Sequence, residues 1–161
     1  MEFGRRYDLL IALFYRARKS LIEVADCPRC PNNSETLLHV MRNCPFISRT
    51  WKSLVNRNSQ QNFFQTDIKA WLKENLWSPH IRNGTSWPII FITTCNLAWK
   101  SKNELIFQNV SSNPNTLLNQ VIYLVKNYED CLAISEAGVS MLSTNREDMI
   151  GWEPHLRVGL N

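Results

Sequence analysis

Along this chain the apolar positions recur at steps of three and four residues, the spacing that puts side chains on one face of a helix. Leu10, Leu13 and Phe14 follow it with Asp8, Arg16 and Lys19 as polar positions, predicting a helix over residues 7–19. Glu35 to Asn43 reads as one short amphipathic helix with Ser34 as its N-cap. Ile47, Trp51, Leu54 and Val55 predict another from Phe46 to Arg57, and Ile68, Trp71, Leu72 and Asn75 a third from Asp67 to Leu76, capped by Thr66. The longest candidate starts at Ser86-Trp87-Pro88 and runs to about Asn109 through Ile90, Phe91, Thr94, Ala98 and Leu105. Asn113-Pro114 opens a further helix through Leu117, Val121, Ile122, Val125 and Tyr128 to about Ala137, with Gly138 as its terminator. Two long helices joined by so short a link are expected to pack antiparallel.

Polar breaks at residues 56–62 and 79–86 divide the pattern. The expected fold class is all-α: a helical module over 1–57, a helical connector over 58–137, and an irregular tail over 138–161. Five Gly and seven Pro among 161 residues offer little of the punctuation that a strand-and-turn architecture needs. The apolar fraction of 44%, with six Trp and seven Phe, is enough for a core. Trp51 raises a choice between stacking on a base and packing inside, and its helical spacing with Ile47, Leu54 and Val55 favours the core; Phe46 is read in the same way.

The chemistry is concentrated in Cys27-Pro-Arg-Cys30, His39 and Cys44, a C-x2-C-x8-H-x4-C spacing. Three thiolates and one imidazole form a complete tetrahedral donor set for zinc, with no position left open for water or substrate, so the site reads as structural. Pro28 and Pro31 favour a tight turn around the Cys pair. On a regular helix Cys44 would point away from His39, but Pro45 pushes the residue before it out of the α region and lets Cys44 swing back. A redox pair would call for a βαβ pattern, which is not visible, and disulfide pairing fits poorly with an odd count of five cysteines. Cys95 and Cys131 fall in apolar helical patterns, where a free Cys behaves as a small hydrophobe.

The order Cys27-Pro-Arg-Cys30, Ser34-Glu-Thr-Leu-Leu-His39, Asn43-Cys-Pro-Phe46, Trp51 resembles the zinc-binding region that follows the polymerase in plant non-LTR (LINE-type) reverse transcriptases. Trp87 to Phe91, Trp99-Lys-Ser-Lys-Asn103 and Phe107 are similar to the helical connector that follows it, with Lys102 where Arg is common. Trp152-Glu-Pro154 and Val158-Gly-Leu-Asn161 resemble the lead-in to a ribonuclease H domain, with His155 in place of the second proline and Gly159 in place of Lys. Before Asp26 the family's tryptophan and Leu-Pro-Thr turn are missing. The resemblance implies a piece of a retrotransposon polyprotein that ends where its ribonuclease H domain would begin, and it implies association with RNA or DNA.

Charge adds modestly to that expectation. The net charge is +4, and between Cys27 and Arg57 the chain carries Arg29, Arg42, Arg49, Lys52 and Arg57 against Glu35 alone. Arg29, Arg42, Arg49 and Lys52 are the candidate phosphate contacts, chosen by charge and proximity to the cysteines. Catalysis is not expected. Asp8, Asp26, Asp67, Asp130 and Asp148 are scattered, the neighbours Glu129-Asp130 and Glu147-Asp148 have no second cluster, and no phosphate loop or nucleophile motif occurs. No small-molecule substrate and no membrane partner are expected: the run Leu9 to Tyr15 lacks a cleavage site and is shorter than the ~20 residues of a span. His80 reads as a solvated loop residue. An intracellular setting follows, nuclear or cytoplasmic. The alternative function is a zinc-stabilised protein-interaction module, or a retroelement remnant without activity, in which Trp71, Trp77, Trp87 and Trp99 have lost former partners.

Overall fold

The structure, a computed structural model, describes residues 26–147 apart from 32 and 83, and beyond residue 131 only part of the side chains. The expected first helix and the residues from 148 onward lie outside that range. The described chain is mostly helical, with one two-stranded sheet. It forms two compact units, one through Val125 and one from Lys126 onward.

In the first unit a π-helical turn, His39–Asn43, leads into α1 (Pro45–Leu54). A single 3-10 turn, Arg57–Ser59, and a short α2 (Gln60–Gln65) follow, then α3 (Ile68–Leu76). The stretch expected to be a break before the long helix instead contains a hairpin, β1 (Ile81–Arg82) against β2 (Thr85–Ser86), with Ile81 opposite Ser86 and Arg82 opposite Thr85. Gly84 takes φ 86°, which a residue with a Cβ rarely adopts, and an Asn-Gly pair between two strands is the preferred two-residue hairpin signal. α4 (Trp87–Gln108) has Pro88 in its first turn and ends at Asn109 in the left-handed conformation, φ 55°. There the chain reverses, bringing Ser112 Oγ to 2.6 Å from Ser101 Oγ. α5 (Pro114–Glu147) begins on the expected Asn113 cap, whose Oδ1 accepts from Thr116 N–H at 2.8 Å. It does not stop at Gly138 as expected; the helix continues to Glu147, so a glycine in its interior is tolerated at about 1 kcal/mol relative to Ala.

Other caps also differ from expectation. α3 is capped by Asp67, whose Oδ1 accepts from Lys69 and Ala70 N–H, while Thr66 turns its hydroxyl back to Asn62 O. A carboxylate satisfying two orphan amides at a helix start is the stronger arrangement.

The core is built around Trp51. Its ring lies 5.0 Å from Phe63, 6.1 Å from Trp71, 6.5 Å from Trp87 and 5.6 Å from Phe91, and its indole N–H donates to Met41 O at 2.8 Å. Residues on both sides of position 57 therefore share one core. Trp87 is anchored by its indole N–H to Asn75 Oδ1 at 2.8 Å, and Asn75 donates in turn to Trp71 O, so a buried amide joins α3 to α4 with both ends satisfied. Leu117, Val121 and Val125 bring the start of α5 into the same cluster. Phe46 packs partly buried at its edge and Cys95 is buried inside α4, whereas Cys131 is exposed, contrary to its apolar pattern.

Replacing Trp51 with Ala removes the side chain that touches four rings, and the expected loss is about 3–5 kcal/mol of unfolding free energy. Urea unfolding of the metal-loaded protein measures it; a loss below about 1 kcal/mol would show that the ring cluster does not organise the core.

Candidate metal centre

The Cys27–Cys30 half of the site is shaped by a closed loop. An isolated β-bridge pairs Asp26 with Ser34, Cys27 N–H donates to Asn33 O at 2.9 Å, and Cys30 N–H donates to Cys27 O at 3.1 Å. Ser34 is held in that bridge and does not cap the next helix. Thr36 does, its hydroxyl accepting from His39 N–H at 3.1 Å.

The other half depends on the π-helical turn. Five residues of regular α-helix rotate a side chain by roughly 500°, which leaves Cys44 about 140° from His39. Here the Cys44 N–H donates to His39 O at 2.7 Å, an i to i+5 bond that stacks the two ligands on one side. Cys44 itself has φ −53° and ψ 132°, the extended conformation that a following proline favours. The π turn was not anticipated; the H-x4-C spacing was the signal for it.

The four donors converge. Their ligand atoms all lie within 4.8 Å of one another, with Cys27 Sγ 4.0 Å and Cys30 Sγ 3.7 Å from Cys44 Sγ, and Cys30 Sγ 3.1 Å from His39 Nε2. An ion with bonds of about 2.3 Å to sulfur and about 2.0–2.1 Å to nitrogen sets tetrahedral donors roughly 3.5–3.8 Å apart. The cluster fits a single metal ion, with Cys27, Cys30, His39 and Cys44 as its ligands. Burial pushes the Cys30 thiol up to about 12, with its contacts to the other two sulfurs adding to the effect, and burial likewise raises Cys44. Burial lowers His39, against the opposing pull of Glu35. Such crowded thiols ionise when a cation is present to share their charge, and an imidazole kept neutral is ready to ligate.

Two contacts fasten this loop to α4. Arg29 donates to Ser101 O at 2.9 Å and to Ser101 Oγ at 2.8 Å, and its guanidinium lies 3.7 Å from the centre of the Phe46 ring. Glu35 forms an ion pair with Lys102, with both side chains only 8% exposed, and Lys102 Nζ lies 4.9 Å from the Trp99 ring centre. Ser101 and Lys102 are both buried, because they receive this loop.

The four candidate phosphate contacts separate into two groups. Arg42 is buried, donating to Asn43 Oδ1, Phe63 O and Thr66 O at 2.9, 3.0 and 2.7 Å above the Trp71 ring, so its charge serves the fold instead of a phosphate. Arg29 is engaged with Ser101 as described. Arg49 and Lys52 are exposed on α1. His80 is exposed, as expected.

Over 140 residues, 85% of its length, the chain is 29% identical to a protein of Arabidopsis thaliana that bears the name ribonuclease H protein. It spans 22% of that protein's length. No protein-family model and no solved structure matches it. Among the described residues no helix is long and apolar enough to cross a membrane.

Lys102→Met leaves the Glu35 carboxylate buried without its partner and is expected to cost about 3–5 kcal/mol, most of it recovered in a Glu35→Leu/Lys102→Met double variant. Urea unfolding of the three proteins tests this; additive losses in the double variant would contradict a buried pair.

Metal retention is expected to fall with pH. His39, lowered in the folded state, contributes stability that is full above the ordinary imidazole value of about 6.5 and drains as pH drops through its folded value. Protonation of the three thiolates acts in the same direction. A chelating dye followed from pH 8 to pH 5 should report release on the acid side, and metal held more tightly at low pH would be incompatible with this donor set.

Proposed function

We propose that this chain is a non-catalytic, zinc-stabilised segment of a retroelement polyprotein of the reverse transcriptase and ribonuclease H type, and that it works in association with RNA or DNA. The convergence of three Cys sulfurs and His39 Nε2 into one tetrahedron-sized cluster carries this reading. Zinc is the ion best suited to such a set: it accepts sulfur and imidazole donors without a geometric preference of its own, and four protein ligands complete its shell. The ion supplies cross-linking; the chain's own residues supply the fold around it. The likeness to a protein that bears the name ribonuclease H protein supports placing the segment in a nucleic-acid-processing polyprotein.

A second reading, a zinc-stabilised protein-interaction module, is favoured by one feature. At the C-terminal end of α4 and just past it, Ile106, Phe107 and Val110 are 47, 79 and 51% exposed. Large apolar side chains gathered at one helix end suit a protein partner.

Elemental analysis of the purified protein is expected to give one zinc per chain, and Cys44→Ser is expected to lose it along with the cooperative unfolding transition. Metal-free protein with an unchanged transition would overturn the structural-zinc assignment.

A further inference from the structure

Resting on the reading of the chain as nucleic-acid-associated, we infer that the phosphate backbone is received on the outer face of α1, by Arg49 and Lys52 together with Arg57 and Arg82, and not by the arginines nearest the metal. Arg49 and Lys52 are three residues apart on α1 and share its exposed face. The 3-10 turn carrying Arg57 folds back against the end of that helix, because Gln60 Nε2 donates to Lys52 O at 2.9 Å and to Val55 O at 3.2 Å. The hairpin brings Arg82 to the same place, its Nη2 donating to Ser53 O at 3.1 Å. Three separate stretches of sequence thus place four cations along α1 and beside its C-terminal end.

The charge around them is one-sided. No Asp or Glu occurs between Glu35 and Asp67, or between Glu74 and Glu104. The carboxylates at those borders are occupied: Glu35 pairs with Lys102, Asp67 caps α3, Glu74 accepts from Asn62, and Glu104 meets Lys100 at 3.8 Å. Among the described residues Arg49, Lys52 and Arg57 have no ion-pair partner. The negative end of the α1 dipole accounts for a cation or two near its last turn, but not for four. Three exposed cations and the half-buried Arg82, with no acid among them, are complementary to a polyanion, and nucleic acid is the polyanion that the proposed function supplies.

The test compares three zinc-loaded proteins: the parent, Arg49→Gln/Lys52→Gln/Arg57→Gln, and a control, Lys69→Gln/Lys73→Gln/Lys126→Gln, which removes as many exposed cations from α3 and α5. Arg82 is left in place because it bonds Ser53 O. Binding of a short fluorescent single-stranded RNA is measured as salt is raised. The expected result is a loss on the order of tenfold or more in the α1 variant, with the slope of log K against log salt reduced by about 2, and a smaller loss in the control. Zinc content and melting temperature equal to the parent's show that the α1 variant is folded, and an Arg49→Lys/Arg57→Lys protein should keep parental binding. Equal losses in the α1 variant and the control would overturn this surface while leaving nucleic-acid association standing. No binding by the parent at low salt would overturn that association and this surface with it. Phosphatidylserine vesicles bound as tightly as the RNA, with the same sensitivity to the α1 substitutions, would overturn the assignment to nucleic acid.

Discussion

Sulfur atoms that would repel one another as thiolates are gathered within one ion's reach, and that gathering is built into the core of the unit through Val125. Cys27 and Cys44 are not appended to the core; they belong to the same buried cluster as Met41, Ile47 and Trp51. Met41 lies within the π turn that positions His39 and Cys44, and its carbonyl receives the Trp51 indole N–H. An ion held by these four donors would fix both the loop and the floor under the aromatic cluster. That links ion binding to the packing of the core, as expected for small domains in which metal affinity is folding free energy.

Fastening the loop to α4 solves a second problem. A short loop held by an ion alone would be fixed at one point and free to pivot about it. Arg29 on Ser101 and Glu35 on Lys102 add two further points of attachment on successive residues of α4, one by hydrogen bonds and one by charge. Because Lys102 and Glu35 are both withdrawn from water, slipping α4 by even one residue would strand a charge in the interior, at a cost of several kcal/mol. The pair therefore sets register more than it adds stability.

The Cys and His cluster and the helical class were legible in the sequence because both depend on local spacing: C-x2-C and H-x4-C for the cluster, three- and four-residue steps for Trp51, Trp71 and Phe91. What was not legible depends on contacts distant in sequence. Arg42 is an ordinary basic residue until the carbonyls of Phe63 and Thr66 come round to meet its guanidinium, and Lys102 an ordinary surface lysine until Glu35 arrives. The hairpin at Ile81 to Ser86 lies between these cases. Its Asn-Gly signal is local, but two-residue strands leave no alternation to read, so the stretch resembles a break. At Gly138 the local terminator signal is overridden, and the helix runs on to Glu147.

The π turn bears on how such a centre is written in a protein chain. In a regular helix the fourth residue after a histidine already lies on its face, so H-x3-C would bring imidazole and thiol together without any irregularity. This chain has one residue more, and the wider i to i+5 turn absorbs it. Two spellings that differ by an insertion can therefore encode one ligand geometry. A pattern search that fixes the His-to-Cys gap will miss members of a group that share the same site in three dimensions.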